Sequence, residues 1–129
     1  MPTGYPFTSG DILTAAEMNS LVAFTINAQS GTTYTLASTD QYQVLVQTTN
    51  AAAKTVSIPT DATYNFPIGT CISFLNSGAG DLTIQAASSG TTTVTSAGAT
   101  SAAPTVGEHK SAAAIKTAAN TWTVVGAVA

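Results

Sequence analysis

His109 is the single histidine and Cys71 the single cysteine of this chain, so base, nucleophile and metal-ligand chemistry would each rest on one side chain. His109 stands between Glu108 and Lys110, after Pro104 and Gly107, a setting that reads as a solvated loop. A Ser/His/Asp hydrolase would need a nucleophile as well, and the sequence contains no G-x-S-x-G elbow. One histidine and one cysteine fall short of the usual zinc-binding patterns, so no metal ligands are assigned. Cys71, between Thr70 and Ile72 in a strand-like run, reads as a small apolar core residue. The carboxylates Asp11, Glu17, Asp40, Asp61, Asp81 and Glu108 are scattered. Glu17 has the spacing of a helix cap, and Asp40, Asp61 and Asp81 lie in turn-like surroundings where the side chain can bond its own backbone. Gly78-Ala79-Gly80 is the nearest approach to a phosphate loop, but no Lys-Ser/Thr follows it and a strand comes next instead of a helix. Trp122 with Tyr5, Tyr34, Tyr42 and Tyr64 could build a sugar-stacking platform, although a β domain of this size normally needs its one tryptophan inside. No catalytic residue, cofactor-binding residue or cofactor is therefore assigned, and the chain is read as a non-enzyme.

What must position these residues follows from composition. The chain has 129 residues, enough for one core; 7% are charged and 44% hydrophobic, with Thr, Ser, Ala, Gly and Asn dominating the rest. Soluble domains usually carry about a quarter charged residues, so this is a hydroxyl-covered β surface. Three lysines, no arginine and a net charge of -3 leave nothing to neutralise a row of phosphates, which argues against nucleic acid and against anionic membranes as partners. The longest apolar stretches, at 111–115 and 124–129, are far below the roughly 20 residues of a membrane span. Met1-Pro2-Thr3-Gly4-Tyr5-Pro6 lacks the basic and apolar regions of a secretory signal, so the expectation is synthesis and retention in a reducing cytoplasm.

Two regions are expected. Residues 1–24 form an N-terminal arm, extended where Pro and Gly recur at positions 2, 4, 6 and 10, then a short helix over 15–22 whose start is marked by the capping box Thr14-Ala15-Ala16-Glu17. A helix that short is not stable alone, so its apolar side must dock on something. Tyr5, Phe7, Ile12, Leu13, Met18 and Leu21 are the expected anchoring residues. Residues 25–129 form the β domain. Strand-like runs fall at 32–36, 42–48, 55–58, 70–75, 82–85, 91–95, 112–116 and 121–125. Alternation within them places Val44, Val46, Ile58, Ile72, Phe74, Leu82, Ile84, Trp122 and Val124 in the core. About eight short strands in about a hundred residues predict an all-β fold, a small antiparallel sandwich or barrel. The turns at 76–81 and 118–120 are expected to close antiparallel hairpins. The segment 88–106, poor in large apolar residues, reads as an exposed loop or a strand completed by another subunit.

Thr33-Tyr34-Thr35-Leu36, Thr55-Val56-Ser57-Ile58-Pro59, Phe66-Pro67-Ile68-Gly69-Thr70, Gly78-Ala79-Gly80-Asp81-Leu82-Thr83-Ile84, Ile115-Lys116 and Asn120-Thr121-Trp122 with Val125-Gly126 resemble a β module recurrent in tail-fibre, head-fibre and capsid-decoration proteins of tailed bacteriophages. The opening from Phe7 to Asn19 looks like the start of phage virion proteins. The resemblance implies a homotrimeric virion component with no catalytic residues to carry over, its partners being copies of itself and the major capsid protein or another virion protein. A chain of this length, without a long shaft, favours a capsid decoration or cement protein at the outer capsid surface over a short head- or tail-fibre or adaptor. A carbohydrate-binding β-sandwich is the third reading.

Overall fold

The computed structural model describes residues 24–129. The expected arm and helix, with Tyr5, Phe7, Ile12, Leu13, Met18 and Leu21, lie outside the described residues. Within them the fold is all-β, with ten strands and one short 3-10 turn: β1 (Thr25–Gln29), β2 (Thr33–Thr35), the turn Ser38–Asp40, β3 (Val44–Thr48), β4 (Lys54–Ile58), β5 (Cys71–Asn76), β6 (Leu82–Ala86), β7 (Thr93–Ser96), β8 (Thr105–Val106), β9 (Ser111–Ala118) and β10 (Thr121–Gly126). They form a six-stranded sheet ordered β1-β3-β5-β9-β10-β7 and a four-stranded sheet ordered β2-β4-β6-β8.

From β1 to β6 the chain crosses from one sheet to the other at every connection. Consequently β1, β3 and β5 are mutually parallel in the large sheet, and β2, β4 and β6 are mutually parallel in the small one. The chain winds as three stacked coils. The rest closes the winding: β7 pairs parallel with β10, β9 lies antiparallel between β5 and β10, and β8 lies antiparallel beside β6. Of the antiparallel sandwich or barrel expected from the sequence, the all-β character in two sheets holds, while no barrel closes and the strand direction is corrected from antiparallel to mixed.

The physical reason lies in the turns. Residues 77–81 do not close a hairpin, because both neighbours of β5 are already taken by β3 and β9 and β6 belongs to the other sheet. The loop instead arches between the sheets and stacks on the preceding arch, residues 49–53. A Cβ on Gly78 would stand 2.0 Å from the carbonyl oxygen of Asn50, and one on Gly80 would stand 2.3 Å from the carbonyl carbon of Ala52. The two glycines serve close approach of backbones, neither a phosphate nor a hairpin turn. The β9–β10 turn, by contrast, is an antiparallel hairpin, with Asn120 at φ +48°.

Between the sheets Val46, Val56, Phe74, Ile84, Trp122 and Val124 make one core with Val44, Ile58, Ile72 and Leu82. Full burial of such a side chain contributes roughly 1.5–3 kcal/mol relative to exposure. Trp122 is fully buried and meets Phe66 edge-to-face, ring centroids 5.5 Å apart. Within 88–106 both β7 and β8 find their pairing partners inside this chain.

Candidate interaction surface

The side chains able to carry charge divide into those consumed by the fold and those left in solvent. Lys116, on an inward position of β9, is 1% exposed. Its ammonium donates to Asp61 Oδ1 at 2.8 Å, Asn65 Oδ1 at 2.7 Å and the carbonyl of Phe66 at 2.7 Å. Asp61 accepts a further bond from the backbone N–H of Asn120, whose side-chain oxygen in turn accepts from the backbone N–H of Asp61. Burial alone would raise the Asp61 carboxyl, but the bonds from Lys116 and Asn120 and the lysine charge outweigh it and hold the carboxyl below its ordinary value. This network ties the 59–70 connection to the β9–β10 hairpin.

Lys54 is the second buried lysine, and it meets only carbonyls. Its ammonium donates to Asn50 O at 2.6 Å and Gly80 O at 2.7 Å, one from each of two stacked arches. Desolvation pushes its pKa down, partly offset by the charges of Asp81 and Glu108. Asn76 completes the ladder: it donates to Gly80 O and Val106 O and accepts from Gly78 N–H. Asn50 reaches the other way, donating to Ser30 O.

The first coil holds a third cluster. Asn27 of β1 donates to the Tyr34 hydroxyl at 2.9 Å and to Asp40 Oδ1 at 2.8 Å, and Tyr34 donates to Asp40 Oδ2 at 2.5 Å. Burial first, and then the bond to the Asp40 carboxylate and its charge, push the Tyr34 phenol up to about 12. Asp40, Asp61, Lys54 and Lys116 thus build the fold's interior and are not free to act on a ligand.

The charged side chains that remain exposed among the described residues are Asp81, Glu108 and Lys110. They gather at one end of the molecule, where the arch 77–81 meets the 107–110 connection and Asn76 N–H bonds Lys110 O. His109 sits there too, its side chain 78% exposed and 3.8 Å from Glu108. It is a solvated loop residue in a left-handed conformation, φ +61°.

The outer face of the six-stranded sheet is the opposite in character. Lys116 is the one charged residue in its six strands, and it points inward. Register aligns Ile26, Leu45, Ser73, Ala113 and Val125 in a row across five strands. Large side chains stand at its two sides and small ones in the middle, which makes a shallow trough lined by Phe24, Leu45, Leu75 and Val125 around Ser73 and Ala113. Among the described residues, Phe24, Ile26 and Val125 are three of the four large exposed hydrophobic residues; Ile68 is the other. Cys71 belongs to this same face. It is exposed, not in the core, because Ile72 takes the inward position and the strand alternation turns Cys71 outward opposite Ile115.

The structure buries Val44, Val46, Ile58, Ile72, Phe74, Leu82, Ile84, Trp122 and Val124, the residues expected in the core. A sugar platform on Trp122 is incompatible with that burial, and Tyr34 and Tyr64 are bound to Asp40 and Gln41. What the sequence reading missed is the pair of buried lysines and the uncharged sheet face. The face did leave a signal, since the six strands together contain a single charge. The buried lysines left none, because their partners are loop carbonyls and a side chain more than fifty residues away. No protein-family model, curated protein or solved structure matches this chain.

Proposed function

We propose that the chain is a non-enzymatic structural protein of a bacteriophage particle: a capsid decoration protein that acts as a homotrimer and bridges neighbouring major capsid subunits at the outer surface of the head. The observation that carries this reading is the segregation of charge. Every exposed charged side chain among the described residues lies at the arch end, and the remaining surface is made of hydroxyl, amide and apolar groups. Such a surface loses little desolvation energy when covered by a copy of itself or by another protein, whereas ordinary soluble domains spread charge over all sides. The arch end, with Asp81, Glu108, His109 and Lys110, is then the part left in water. The resemblance of the strand and turn motifs to the phage β module supports the same reading, and Tyr5, Phe7, Ile12, Leu13, Met18 and Leu21 are the side chains proposed to reach the capsid.

Imaging of purified particles at subunit resolution, with quantitation of the chain per particle, tests this. Hundreds of copies in threefold clusters on the head are expected. A few to a few tens of copies at a vertex or on the tail would replace decoration with a fibre or adaptor role. In solution, light scattering is expected to give three times the chain mass of 12.9 kDa. Monomers at all accessible concentrations, together with isolated monomers on the particle, would overturn the trimer.

A further inference from the structure

A threefold assembly constrains how copies of this chain meet. An isologous contact joins one patch to itself and generates a twofold, so a cyclic trimer must join two different patches. Among the described residues the four large exposed hydrophobic side chains fall into two patches: Phe24, Ile26 and Val125 on the outer face of the six-stranded sheet, and Ile68 alone in the turn before β5. That turn is held rigidly. Thr70 N–H bonds Pro67 O at 3.1 Å and Gly69 has φ +94°, the pattern of a type II turn with Ile68 and Gly69 at its centre. Thr70 Oγ1 also donates to Pro67 O at 2.7 Å, and Gly69 N–H bonds Lys116 O at 2.7 Å. Beneath it Phe66 is buried, its carbonyl accepting from the Lys116 ammonium and its ring packed on Trp122. Ile68 stands 68% exposed on this fixed base, a knob already ordered before any contact is made.

We infer that the Ile68 turn of one copy seats in the trough of the next, with Ile68 over Ser73 and Ala113, and that this contact, repeated three times around a ring, is the trimer interface. The inference rests on the homotrimer of the proposed function. Size and charge both fit. Three strand spacings, about 14 Å, separate Leu45 on β3 from Val125 on β10, and a four-residue turn is less than about 7 Å across its ends. The trough is lined without a charge, and residues 66–70 carry none. The exposed charges Asp81, Glu108 and Lys110 lie at the arch end, beyond the C-terminal end of β5, whereas the turn enters β5 at its N-terminal end, so no charge has to leave water. At its observed exposure Ile68 does not fill the trough of its own chain, and a second copy must bring it.

Light scattering on the native full-length chain comes first, and monomers at every concentration would overturn the trimer and this contact together. In Ile68→Asp and, separately, in Val125→Asp, the concentration at which trimers dissociate should rise about tenfold or more while the circular dichroism spectrum stays native, since both side chains are exposed in the single chain. Which patch meets which is read with two single-cysteine chains, Ile68→Cys with Cys71→Ser and Ala113→Cys with Cys71→Ser. Oxidised together after subunit exchange, they should give covalent mixed dimers on non-reducing gels, and each oxidised alone should give none. Trimers that survive both aspartates, with no bond between the mixed chains, would end the inference and leave the homotrimer standing on another surface. Covalent dimers of either chain alone would show like patches meeting in an isologous contact, which also overturns it. The cysteine exchange stands by itself if an aspartate variant fails to fold.

Discussion

The two ends of the core each bury a lysine, and they solve the same problem differently. At the hairpin end Lys116 meets a carboxylate, a side-chain amide and a carbonyl. At the arch end Lys54 meets backbone carbonyls supplied by two successive coils. A buried ammonium without a counter-charge is costly, and the downward push on the Lys54 pKa registers that cost. The difference follows from what each end must hold together. The hairpin end joins a loop to a strand pair more than fifty residues on in sequence, and one ion pair fixes that contact. The arch end stacks loops of like shape, where carbonyls of neighbouring arches lie close enough to share one donor. Charge pairing secures a contact between unlike parts; dipole collection secures a stack of like ones.

Breaking the ion pair should have the largest effect. Asp61→Ala leaves Lys116 buried without its counter-charge and removes the acceptor for Asn120 N–H; about 3 kcal/mol of stability should be lost, near the low end for a broken buried pair because Asp61 keeps 18% of its side chain exposed. Urea unfolding at neutral pH measures it. The same pair predicts an acid limb. The folded Asp61 carboxyl titrates below its unfolded value of about 3.9, so its contribution is fully present above that pH and is lost as pH falls through the folded value. In Asp61→Asn the fall in stability between pH 5 and pH 2 should be shallower; an unchanged slope would place the acid sensitivity elsewhere.

Next in size is the stacking of arches. Gly78→Ala would press a methyl group against the Asn50 carbonyl, which the backbone can relieve only by separating the two arches. A loss of roughly 2 kcal/mol is expected by analogy with overpacked interiors, accompanied by faster amide exchange in 49–53 and 77–81. A neutral outcome would mean that the arches are not held in contact in solution, and the ladder through Lys54 and Asn76 would lose its basis.

The smallest effect is expected where the dipoles do the holding. Lys54→Met removes the ammonium's hydrogen bonds to the carbonyls of Asn50, Gly80 and, at 3.5 Å, Ala52 but also the cost of burying the ammonium, so the net change should be about 1 kcal/mol or less, well below that of Asp61→Ala. Its signature lies at alkaline pH. With a folded pKa below the unfolded value of about 10.4, native Lys54 gives a stability that rises with pH between those two values, because the unfolded chain holds the proton longer. Tyr34, whose phenol is raised to about 12, contributes stability that is present below pH about 10 and lost as pH climbs toward 12. Chemical unfolding midpoints from pH 8 to pH 11 should therefore show a rising segment in the native chain that Lys54→Met lacks. Parallel curves for the two would remove the claim that the arch-end lysine is under electrostatic strain.

Much of the strand content was legible in the sequence. Each of the runs read as strands at 32–36, 42–48, 55–58, 70–75, 82–85, 91–95, 112–116 and 121–125 overlaps a strand, with ends displaced by at most two residues. β1 escaped because its inward position at Asn27 carries an amide that bonds Tyr34 and Asp40, so the apolar alternation that marks the other strands is missing there. β8 escaped because it is two residues long.

Alternation of apolar and polar residues determines that Ile72 and Phe74 face inward and that Leu45 and Val125 face out. It does so locally, since side chains of an extended backbone alternate whatever lies beside it. Sheet membership is different. A Gly-containing loop of five residues can fold β6 back beside β5 or carry it across to the opposite sheet, and the period-two pattern of β6 is satisfied either way. What decided between them was long-range: β3 and β9 occupy both edges of β5, and the arch 77–81 finds the carbonyls, the amide of Asn76 and the ammonium of Lys54 only when stacked on 49–53. For the strands other than β1 and β8 the sequence by itself determined where strand forms and which large apolar residues face inward; only the tertiary structure decided which strands are neighbours, because pairing depends on contacts between segments far apart in the chain.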